Sequence, residues 1–475
     1  MEWNPIRSKD YPLYKQIADY MARRIAAGEF PAGSHLPSER TLAKELQVNR
    51  STVVAAYEEL YAAGIVEKRK GSGTIVSADI WGMPRKRLPN WRRYVEQGSF
   101  LPNLPLIRHI QKESKEADII DFASGELSPD LFPLEQFRSI LAQQTFDCHL
   151  GYEDPQGNLA LRETIARHVK TDKGIEATPS SILITSGSQQ ALHLIVQCLL
   201  KPGDAVAIED PSYTYSLPIF QSAGLKTFLL PVGRTGINPD DLTLLHQKHR
   251  IRMVFLNPTY QNPTGTAMPL EQRRKILALS AELGIPVIED DPYTLLSFTG
   301  ERLPTLKSLD RHGTVLYISS LTKIAASGLR IGWVIGPQPV IERLADAKQQ
   351  IDFGHSIFPE WIAQRFLASP EFSAHLDRLV GELKQKRDLL VDSLERHLSG
   401  IVEFHVPAGG IHLWCKLLKE TNDLQLLREA IRHGVVYVPG RVMGTQQGFV
   451  RFTFARAEKE RIDAGIRRFA EAYRG

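Results

Sequence analysis

The stretch Tyr317-Ile318-Ser319-Ser320-Leu321-Thr322-Lys323 carries a β-rich segment directly into a lysine, and Arg330 follows seven residues later. A lysine that forms a Schiff base must be partly desolvated and must lie near other cations, so that its amine is available. A cofactor bound in this way also needs a charged anchor for its phosphate group, which Arg330 and Ser320 can provide. The stretch therefore predicts that Lys323 forms a Schiff base with a phosphate-bearing cofactor.

Short β-rich runs alternate with helical stretches on both sides of this lysine, from about residue 119 onward. The predicted strands are 181–185, 205–208, 253–256, 287–288 and 315–319. The predicted helices include 189–200 and 270–283. This alternation is typical of an α/β domain with a mostly parallel sheet and crossover helices. Polar residues cluster just after several of the strands, at the edge where open α/β sheets bind their ligands.

These polar clusters together have the chemistry that pyridoxal phosphate requires. The cofactor needs a lysine for its aldehyde, a carboxylate at its pyridine nitrogen, donors to its phenolate oxygen, an aromatic side chain over its ring and a cup for its phosphate. We assign Lys323 to the aldehyde, Asp290 to the pyridine nitrogen, and Tyr293 with Asn262 to the phenolate oxygen. Tyr213 is assigned to the face of the ring. The phosphate cup is assigned to Ser186, Gly187, Ser188, Gln189, Ser320 and Arg330. The Ser186 turn alone is a weak signal, because many strand-to-helix turns could bind phosphate. Its combination with Lys323 predicts a pyridoxal phosphate site.

In order and spacing, these residues resemble the fold-type I, aspartate aminotransferase-like proteins over roughly residues 119–475. The resemblance implies a smaller C-terminal α+β subdomain beside the mostly parallel sheet. It also implies that Tyr152 reaches across a dimer interface to the neighbour's phosphate, and that Arg451 binds the α-carboxylate of an effector. The apolar residues that alternate around Arg451 predict that this arginine is buried. The motif Ser319-Ser320-Leu321-Thr322-Lys323 departs from the commoner version, which contains an aromatic residue. This departure is expected to alter packing near the lysine without removing its chemistry.

The first 80 residues have a different pattern, in which three helices precede an alternating hairpin. The predicted helices span 13–25, 39–46 and 50–63, and Ser38 and Asn49 are suited to cap the second and third of them. The third helix is predicted to bury one face, formed by Val53, Ala56, Tyr57 and Leu60. Its first turn is left free for base edges and phosphates and carries Arg50, Ser51 and Thr52.

The hairpin at 65–76 is a predicted wing with a basic tip that contains Lys68, Arg69, Lys70 and Gly71. Segments 37–40, 48–53 and 71–74 together resemble the winged helix-turn-helix of the GntR regulators. The resemblance implies that this head binds double-stranded DNA through the wing, the first turn of the third helix and Arg40. The head holds 11 basic and 10 acidic side chains, so its affinity must come from a few well-placed cations and from dimerisation.

Residues 81–117 hold eight basic and three acidic side chains, whereas the segments on either side are nearly neutral. The stretch lacks a sustained helical or strand period, which predicts a linker, and it contains Pro84, Pro89, Pro102 and Pro105. The sequence leaves open whether its arginines only keep the linker solvated or also bind DNA phosphates. The predicted domains are therefore a DNA-binding head at 1–80, the linker at 81–117, and an effector-binding body at 118–475.

The length and composition predict a multidomain globular protein. A chain of 475 residues exceeds what one hydrophobic core usually supports. We find no bilayer-length apolar run and no secretory leader, so we expect a cytoplasmic protein without a membrane partner. Cys148, Cys198 and Cys415 show no paired spacing, which fits a reducing compartment. The 14 histidines form no paired ligand motif, so no metal site is expected.

A GntR-like head, a basic linker and an aminotransferase-like body in this order resemble the MocR regulators over almost the whole chain. The resemblance implies a homodimer arranged head to tail. The leading hypothesis is a transcriptional regulator that binds operator DNA and senses an amino compound, or pyridoxal phosphate itself, through aldimine chemistry at Lys323, with little or no turnover. One alternative is an active aminotransferase with an accessory DNA-binding head. Another is a DNA-binding repressor in which the cofactor is only structural.

Overall fold

The computed structural model describes residues 3–6, 11–69, 73–78, 97–143, 151–301 and 303–475. The chain divides into two compact units, Met1–Gly98, which contains the head, and Ser99–Gly475, which contains the body. Some predicted residues lie outside the described ones, namely Lys70 and Gly71 of the wing and Pro84 and Pro89 of the linker. For Arg69 only the backbone is described.

The head consists of three helices and an antiparallel hairpin, as its sequence predicts. The elements are α1 (Leu13–Ala26), α2 (Glu39–Glu45), α3 (Arg50–Ala62), β1 (Val66–Arg69) and β2 (Gly73–Val76). The hairpin pairs Val66 with Val76 and packs beside α3, which is the arrangement of a winged helix. The predicted face of α3 is buried, and it shares a core with Ile17 and Met21 of α1.

The two predicted helix caps differ in the structure. Ser38 Oγ accepts a hydrogen bond from the Thr41 backbone amide at 3.1 Å, which satisfies one of the free N–H groups at the start of α2. Asn49 stands at the N-cap of α3, but its side chain makes no capping hydrogen bond. The prediction of a side-chain cap there is wrong, because the Thr52 amide donates to the backbone carbonyl of Asn49 at 3.0 Å.

The body contains a large sheet, a smaller antiparallel sheet and helices that cover both. Its strands are β3 (Ile120–Asp121), β4 (Ile182–Thr185), β5 (Ala205–Asp210), β6 (Lys226–Gly233), β7 (Gly236–Ile237), β8 (Met253–Leu256), β9 (Val287–Asp290), β10 (Val315–Ser320), β11 (Gly332–Ile335), β12 (Val402–Phe404), β13 (His412–Leu417), β14 (Val435–Val436), β15 (Val438–Pro439) and β16 (Phe449–Thr453). Its helices are α4 (Pro105–Glu113), α5 (Leu134–Ala142), α6 (Leu159–Lys173), α7 (Ser188–Leu199), α8 (Ile219–Ser222), α9 (Pro239–His249), α10 (Leu270–Leu283), α11 (Leu306–Leu309), α12 (Gln338–Ile351), α13 (Ile357–Ala368), α14 (Glu371–Leu398), α15 (Asp423–Arg432), α16 (Gly440–Met443) and α17 (Lys459–Arg474).

The large sheet has the order β4-β11-β10-β9-β8-β5-β6-β7. The strands from β10 to β6 in this order run parallel to one another, whereas β11 is antiparallel to both β10 and β4. The prediction of a mostly parallel sheet is therefore confirmed. Strand β10 is buried along its whole length, as expected for a strand with helices on both faces of its sheet. Because β5, β8, β9 and β10 are parallel, their carboxyl ends lie at one edge of the sheet.

The predicted C-terminal α+β subdomain is present. It contains the antiparallel sheet β12-β13-β16-β15, and the long helix α14 packs against α17. The short strands β3 and β14 form a separate parallel pair. Strand β16 places Arg451 opposite Trp414 of β13. Most residues of these two strands are buried.

Helix α4 lies within residues 81–117, which the sequence predicts to be a linker without a helical period. It begins at Pro105, a residue type that suits the first position of a helix. Ile110 is buried in the core of the body, and Leu106 and Ile107 pack against the same core. These three apolar residues cover little more than one helical turn, so they give no sustained period in the sequence. Within the described parts of the chain, no helix has the length and apolarity needed to cross a membrane.

Candidate cofactor site

A cavity of about 280 Å³ lies at the carboxyl edge of the large sheet. Most of the predicted cofactor and effector residues line it, namely Gly187, Ser188, Gln189, Tyr213, Asn262, Asp290, Tyr293, Ser320, Lys323, Arg330 and Arg451. Ser186 is absent from the lining, but its backbone carbonyl accepts a hydrogen bond from Arg330 Nη2 at 2.7 Å. Tyr152 lies outside this cavity, is 81% exposed, and has its ring 5.5 Å from that of Phe353.

Lys323 stands at the end of the short helical turn Leu321–Lys323, directly after β10. Its Nζ donates a hydrogen bond to the backbone carbonyl of Gly125. Burial, together with the positive charge of Arg451, lowers the pKa of Lys323 from its usual 10.5 to about 8. The neutral, nucleophilic amine is therefore more abundant near neutral pH than for an ordinary surface lysine.

Asp290 ends β9 and presents a carboxylate to the cavity. Its Oδ1 is buried and has no hydrogen-bond partner among the residues that the structure describes. Burial and the adjacent Asp291 raise the pKa of Asp290 to about 7. A buried acceptor without a partner is costly, and a protonated ring nitrogen would satisfy it. The site therefore fits a pyridinium at this position.

Asp291 belongs to a different network, although it is the next residue in the chain. Its Oδ2 lies 2.8 Å from Lys173 Nζ and accepts a hydrogen bond from the Tyr317 hydroxyl at 2.7 Å. Burial works to raise the pKa of Asp291, but the ion pair with Lys173 outweighs it and the pKa is lowered. Asp291 is therefore a fixed negative charge beside Asp290. The sequence does not predict the role of Lys173, because a lysine inside a helix gives no sign of the buried partner that the fold brings to it.

The predicted phosphate cup combines a helix N-terminus with an arginine. Gly187 precedes α7 with φ 79° and ψ 173°, a backbone conformation that is essentially restricted to glycine. A Cβ at this position would lie 2.8 Å from Arg330 Nη2, so only glycine leaves room for the guanidinium. The first N–H groups of α7, the Ser188 hydroxyl and Arg330 form a set of donors that suits a phosphate.

Arg451 is buried, at 5% exposure, as its apolar neighbours predict. Its Nη1 donates to Asn262 Oδ1 at 3.1 Å, and its Nη2 donates to the carbonyl of Ala123. The Nε has no hydrogen-bond partner in the described ranges. Burial lowers the pKa of Arg451 to about 10, which still leaves it charged at neutral pH. A buried guanidinium without a carboxylate partner is suited to bind a carboxylate ligand.

Two further buried polar residues at the site are absent from the sequence analysis. Glu209 lines the cavity and accepts a hydrogen bond from the Asn257 amide at 3.0 Å, and burial raises its pKa to about 7. His412 lies with its Nε2 3.1 Å from the Tyr293 hydroxyl. Both belong to mainly apolar strands, where a polar residue is the available sequence signal that a tertiary partner exists.

The predicted DNA-contacting residues whose side chains the structure describes are Arg40, Arg50, Ser51, Thr52 and Lys68. Arg40 and Ser51 are exposed and Thr52 is half-buried. Arg50 is exposed and forms an ion pair with Glu39, with 2.7 Å between Nη2 and Oε2. Lys68 forms an ion pair with Glu58. Exposed ion pairs of this kind are weak, so a phosphate can compete for these cations.

A winged helix joined to a body with this cavity defines a DNA-binding regulator built on an aminotransferase fold. Residues 13–76 match the bacterial regulatory proteins of the gntR family, and residues 117–469 match the class I and II aminotransferases. The chain is 38% identical to the HTH-type transcriptional regulator YdfD of Bacillus subtilis over 97% of this chain and 96% of that protein. It is 39% identical to YisV of the same organism, over 100% of this chain and 98% of YisV.

The chain therefore belongs to the HTH-type transcriptional regulators that join a GntR head to a class I and II aminotransferase domain, the MocR type. Among solved structures, it is similar to a kynurenine aminotransferase of Pyrococcus horikoshii that was crystallised with PMP. The TM-score is 0.77 at 30% identity, over 82% of this chain and 99% of that one. The predicted family and fold class are thus confirmed.

Proposed function

We propose that this protein is a pyridoxal phosphate-dependent transcriptional regulator. Its head binds double-stranded operator DNA, and its body senses an amino compound or pyridoxal phosphate itself. One observation carries the proposal: the Lys323 amine shares a cavity with the unpaired Asp290 oxygen and the buried Arg451, in a chain whose relatives are regulators over nearly their full length.

Each residue of the cavity has a task that follows from its environment. When bound, pyridoxal phosphate supplies an aldehyde that condenses with a lysine amine and can exchange it for the amine of a small molecule. Lys323 provides that amine, and its lowered pKa keeps part of it neutral. Asp290 holds a proton at the ring nitrogen, and Tyr293 with Asn262 donates to the phenolate oxygen. Gly187, Ser188, Gln189, Ser320 and Arg330 hold the phosphate, and the Ser186 carbonyl, outside the lining, positions Arg330.

Arg451 determines which ligands the body senses. A buried guanidinium selects a carboxylate, so the preferred effector is an amine that also carries a carboxylate. Release of Lys323 and the new contact at Arg451 would favour one of two conformations of the body. The effector can change operator binding only by as much as its affinity differs between those two conformations.

The protein acts in this proposal as a cytoplasmic homodimer arranged head to tail, with a head at 1–80, a linker at 81–117 and a body at 118–475. Tyr152 is assigned to the phosphate of the partner subunit. Its exposure supports this, because Tyr152 and the neighbouring Phe353 leave two aromatic rings at the surface, at 81% and 64% exposure.

An absorbance titration tests the proposal. Purified protein is titrated with pyridoxal phosphate and with D- and L-amino acids and ω-amino acids, beside a DNA-shift assay with the operator. We expect visible absorbance from bound cofactor, a spectral change with one class of amine, and a matching change in operator affinity. Borohydride treatment should leave a pyridoxyl adduct at Lys323 by peptide mass mapping. A protein without that adduct would refute the sensing role of Lys323.

An active aminotransferase is the second candidate function. It is favoured by the presence in one cavity of every predicted cofactor residue apart from Ser186 and Tyr152. Rapid multiple-turnover transamination without operator binding would establish this alternative. Lys323→Ala tests the purely structural role of the cofactor: an unchanged effector response in this variant would support that role.

A further inference from the structure

His412 is a buried histidine that connects the cofactor cavity with the strand that carries Arg451. Its exposure is 1%. Its Nε2 lies 3.1 Å from the Tyr293 hydroxyl, and its Nδ1 lies 3.0 Å from Thr453 Oγ1. The rings of His412 and Tyr293 meet edge to face, with their centroids 5.8 Å apart. Both nitrogens of the imidazole therefore have a partner, and one partner lines the cavity.

The register of the small sheet explains this arrangement. His412 of β13 pairs with Thr453 of β16, and Arg451 precedes Thr453 by two residues. Residues two apart in a strand point to the same face, so Arg451 and Thr453 share a face of β16. Directly opposed residues of neighbouring strands also present their side chains to one face. The face that would bind the effector carboxylate thus also carries the hydrogen-bond partner of Tyr293.

A neutral imidazole limits the possible directions of these hydrogen bonds. Burial, together with the charges of Arg451 and Lys323, lowers the pKa of His412 far below its usual value. The imidazole is therefore neutral at pH 7, with one nitrogen that donates and one that accepts. Tyr293 has a single hydroxyl proton. If that proton is donated to the phenolate oxygen of a bound cofactor, the hydroxyl oxygen must accept from Nε2–H, and Nδ1 must accept from the Thr453 hydroxyl.

We propose that His412 is a positioning residue that keeps the Tyr293 hydroxyl directed as a donor to the phenolate oxygen of pyridoxal phosphate and links this donor to the strand of Arg451. This inference rests on the proposed function, since it requires the cofactor to bind beside Lys323. It adds a physical connection between Tyr293, at the cofactor, and Arg451, at the effector carboxylate. An effector carboxylate that moves Arg451 would also change the position of Thr453 and His412, and with them the hydrogen bond that Tyr293 makes to the cofactor.

The first test is the pH midpoint of the visible absorbance of the cofactor-loaded protein. A donor to the phenolate oxygen favours the deprotonated chromophore, so a weaker donor moves the midpoint upward. We expect His412→Phe to raise the midpoint by roughly half a unit and Tyr293→Phe to raise it further. His412→Gln, which can keep an N–H near the position of Nε2, should stay near the wild-type midpoint.

A double-mutant cycle separates the proposed role from a general effect on packing. Because His412 acts through the Tyr293 hydroxyl, the variant with both His412→Phe and Tyr293→Phe should have the same midpoint as Tyr293→Phe alone. Additive shifts would refute the proposal, as would an unchanged midpoint in His412→Phe. Thr453→Val serves if His412→Phe does not fold. It should raise the midpoint by a smaller amount, and no shift in this variant would also contradict the proposal.

A second measurement reads the position of the imidazole proton directly. Nitrogen-15 NMR of the cofactor-loaded protein reports which nitrogen of His412 carries the proton. We expect a neutral imidazole with its proton on Nε2, and a proton on Nδ1 in the loaded protein would overturn the inference. A protein that binds no pyridoxal phosphate would refute the proposed function, whereas one that binds it with the proton on Nδ1 would refute only the role of His412.

Discussion

Lys323 is the residue at which charge and burial most directly control reactivity. Its pKa is lowered to about 8 by burial and then by the charge of Arg451. Only the neutral amine attacks an aldehyde, so covalent capture of pyridoxal phosphate by the cofactor-free protein should accelerate roughly tenfold per pH unit below pH 8 and level off above it. Stopped-flow absorbance across the pH range measures this profile.

Arg451→Met separates the two causes of this shift. Without the neighbouring positive charge, the pKa of Lys323 should rise, and the whole rate profile should move to higher pH by about one unit. Arg432 is an exposed arginine paired with Glu429, so Arg432→Met is a control that should leave the profile unchanged. A profile that is the same in Arg451→Met and the wild type would show that the charge of Arg451 does not contribute to the lowered pKa of Lys323.

The predicted site residues that the structure brings to one cavity include those whose positions follow from strand ends. Asp290 ends a strand of the parallel sheet, and Asn262 and Lys323 follow two others, so all three lie at the edge where the carboxyl ends of the strands meet. Arg451 required the resemblance to a known family. His412 has no such rule, because its partner Tyr293 is 119 residues away and their contact depends on how the two sheets pack.

The turn between β4 and α7 controls the phosphate end of the cavity at the scale of an element. In Gly187→Ala, the new Cβ would collide with Arg330 and the backbone would be strained. We expect the variant to lose about 1–3 kcal/mol of stability and to bind pyridoxal phosphate about 10- to 100-fold more weakly, since a charged hydrogen-bond partner is displaced. Thermal unfolding and a cofactor titration measure the two effects.

Gly284→Ala is the matched control for this element. Gly284 ends α10 with φ 65°, and a Cβ there would meet nothing within 4 Å. This variant should lose about 1–2 kcal/mol from the left-handed backbone and should bind the cofactor as the wild type does. Pyridoxal without its phosphate should bind both variants equally. If Gly187→Ala kept its affinity for pyridoxal phosphate, Arg330 and α7 would not form the phosphate cup.

Element positions could be predicted well where the apolar pattern was long or bounded by clear turn residues. The helix at 270–283 and the strand at 253–256 coincide with the observed elements, and the helix at 189–200 is displaced by one residue. Helix α4 was missed since its apolar face is short and lies among prolines. The prediction of a side-chain cap at Asn49 is wrong because the backbone carbonyl of Asn49 already accepts the hydrogen bond from the Thr52 amide. Local competition between acceptors leaves no trace in the sequence.

At the scale of the whole molecule, the head and body should be separable by mutation. Arg50→Ala removes an exposed cation at the first turn of α3, so we expect about 1–3 kcal/mol weaker operator binding and a reduced salt dependence. The absorbance of bound pyridoxal phosphate should stay the same, because Arg50 belongs to the other compact unit. Arg432→Ala, which removes an exposed and ion-paired arginine of the body, is the control. Loss of both activities in Arg50→Ala would contradict the division into domains.

The coupling between the two units must be reciprocal if the body regulates the head. An effector that changes operator affinity by a given factor must have its own affinity changed by the same factor when the operator is bound. We expect a factor of about 5 to 150, which is the usual range for such coupling. Absorbance titrations of the effector with and without saturating operator DNA, beside DNA-shift titrations with and without the effector, measure both factors.

Arg451→Met should reduce both factors together, because the carboxylate contact at Arg451 is the difference between the two conformations that the effector would sense. Pyridoxal phosphate should still bind this variant, since Arg451 lies on the C-terminal strand β16 and the phosphate cup does not include it. Equal effector affinity with and without DNA in the wild type would mean that the occupied cavity leaves the head unchanged. The body would then act as an enzyme or as a structural support, and the DNA-binding head would be regulated by other means.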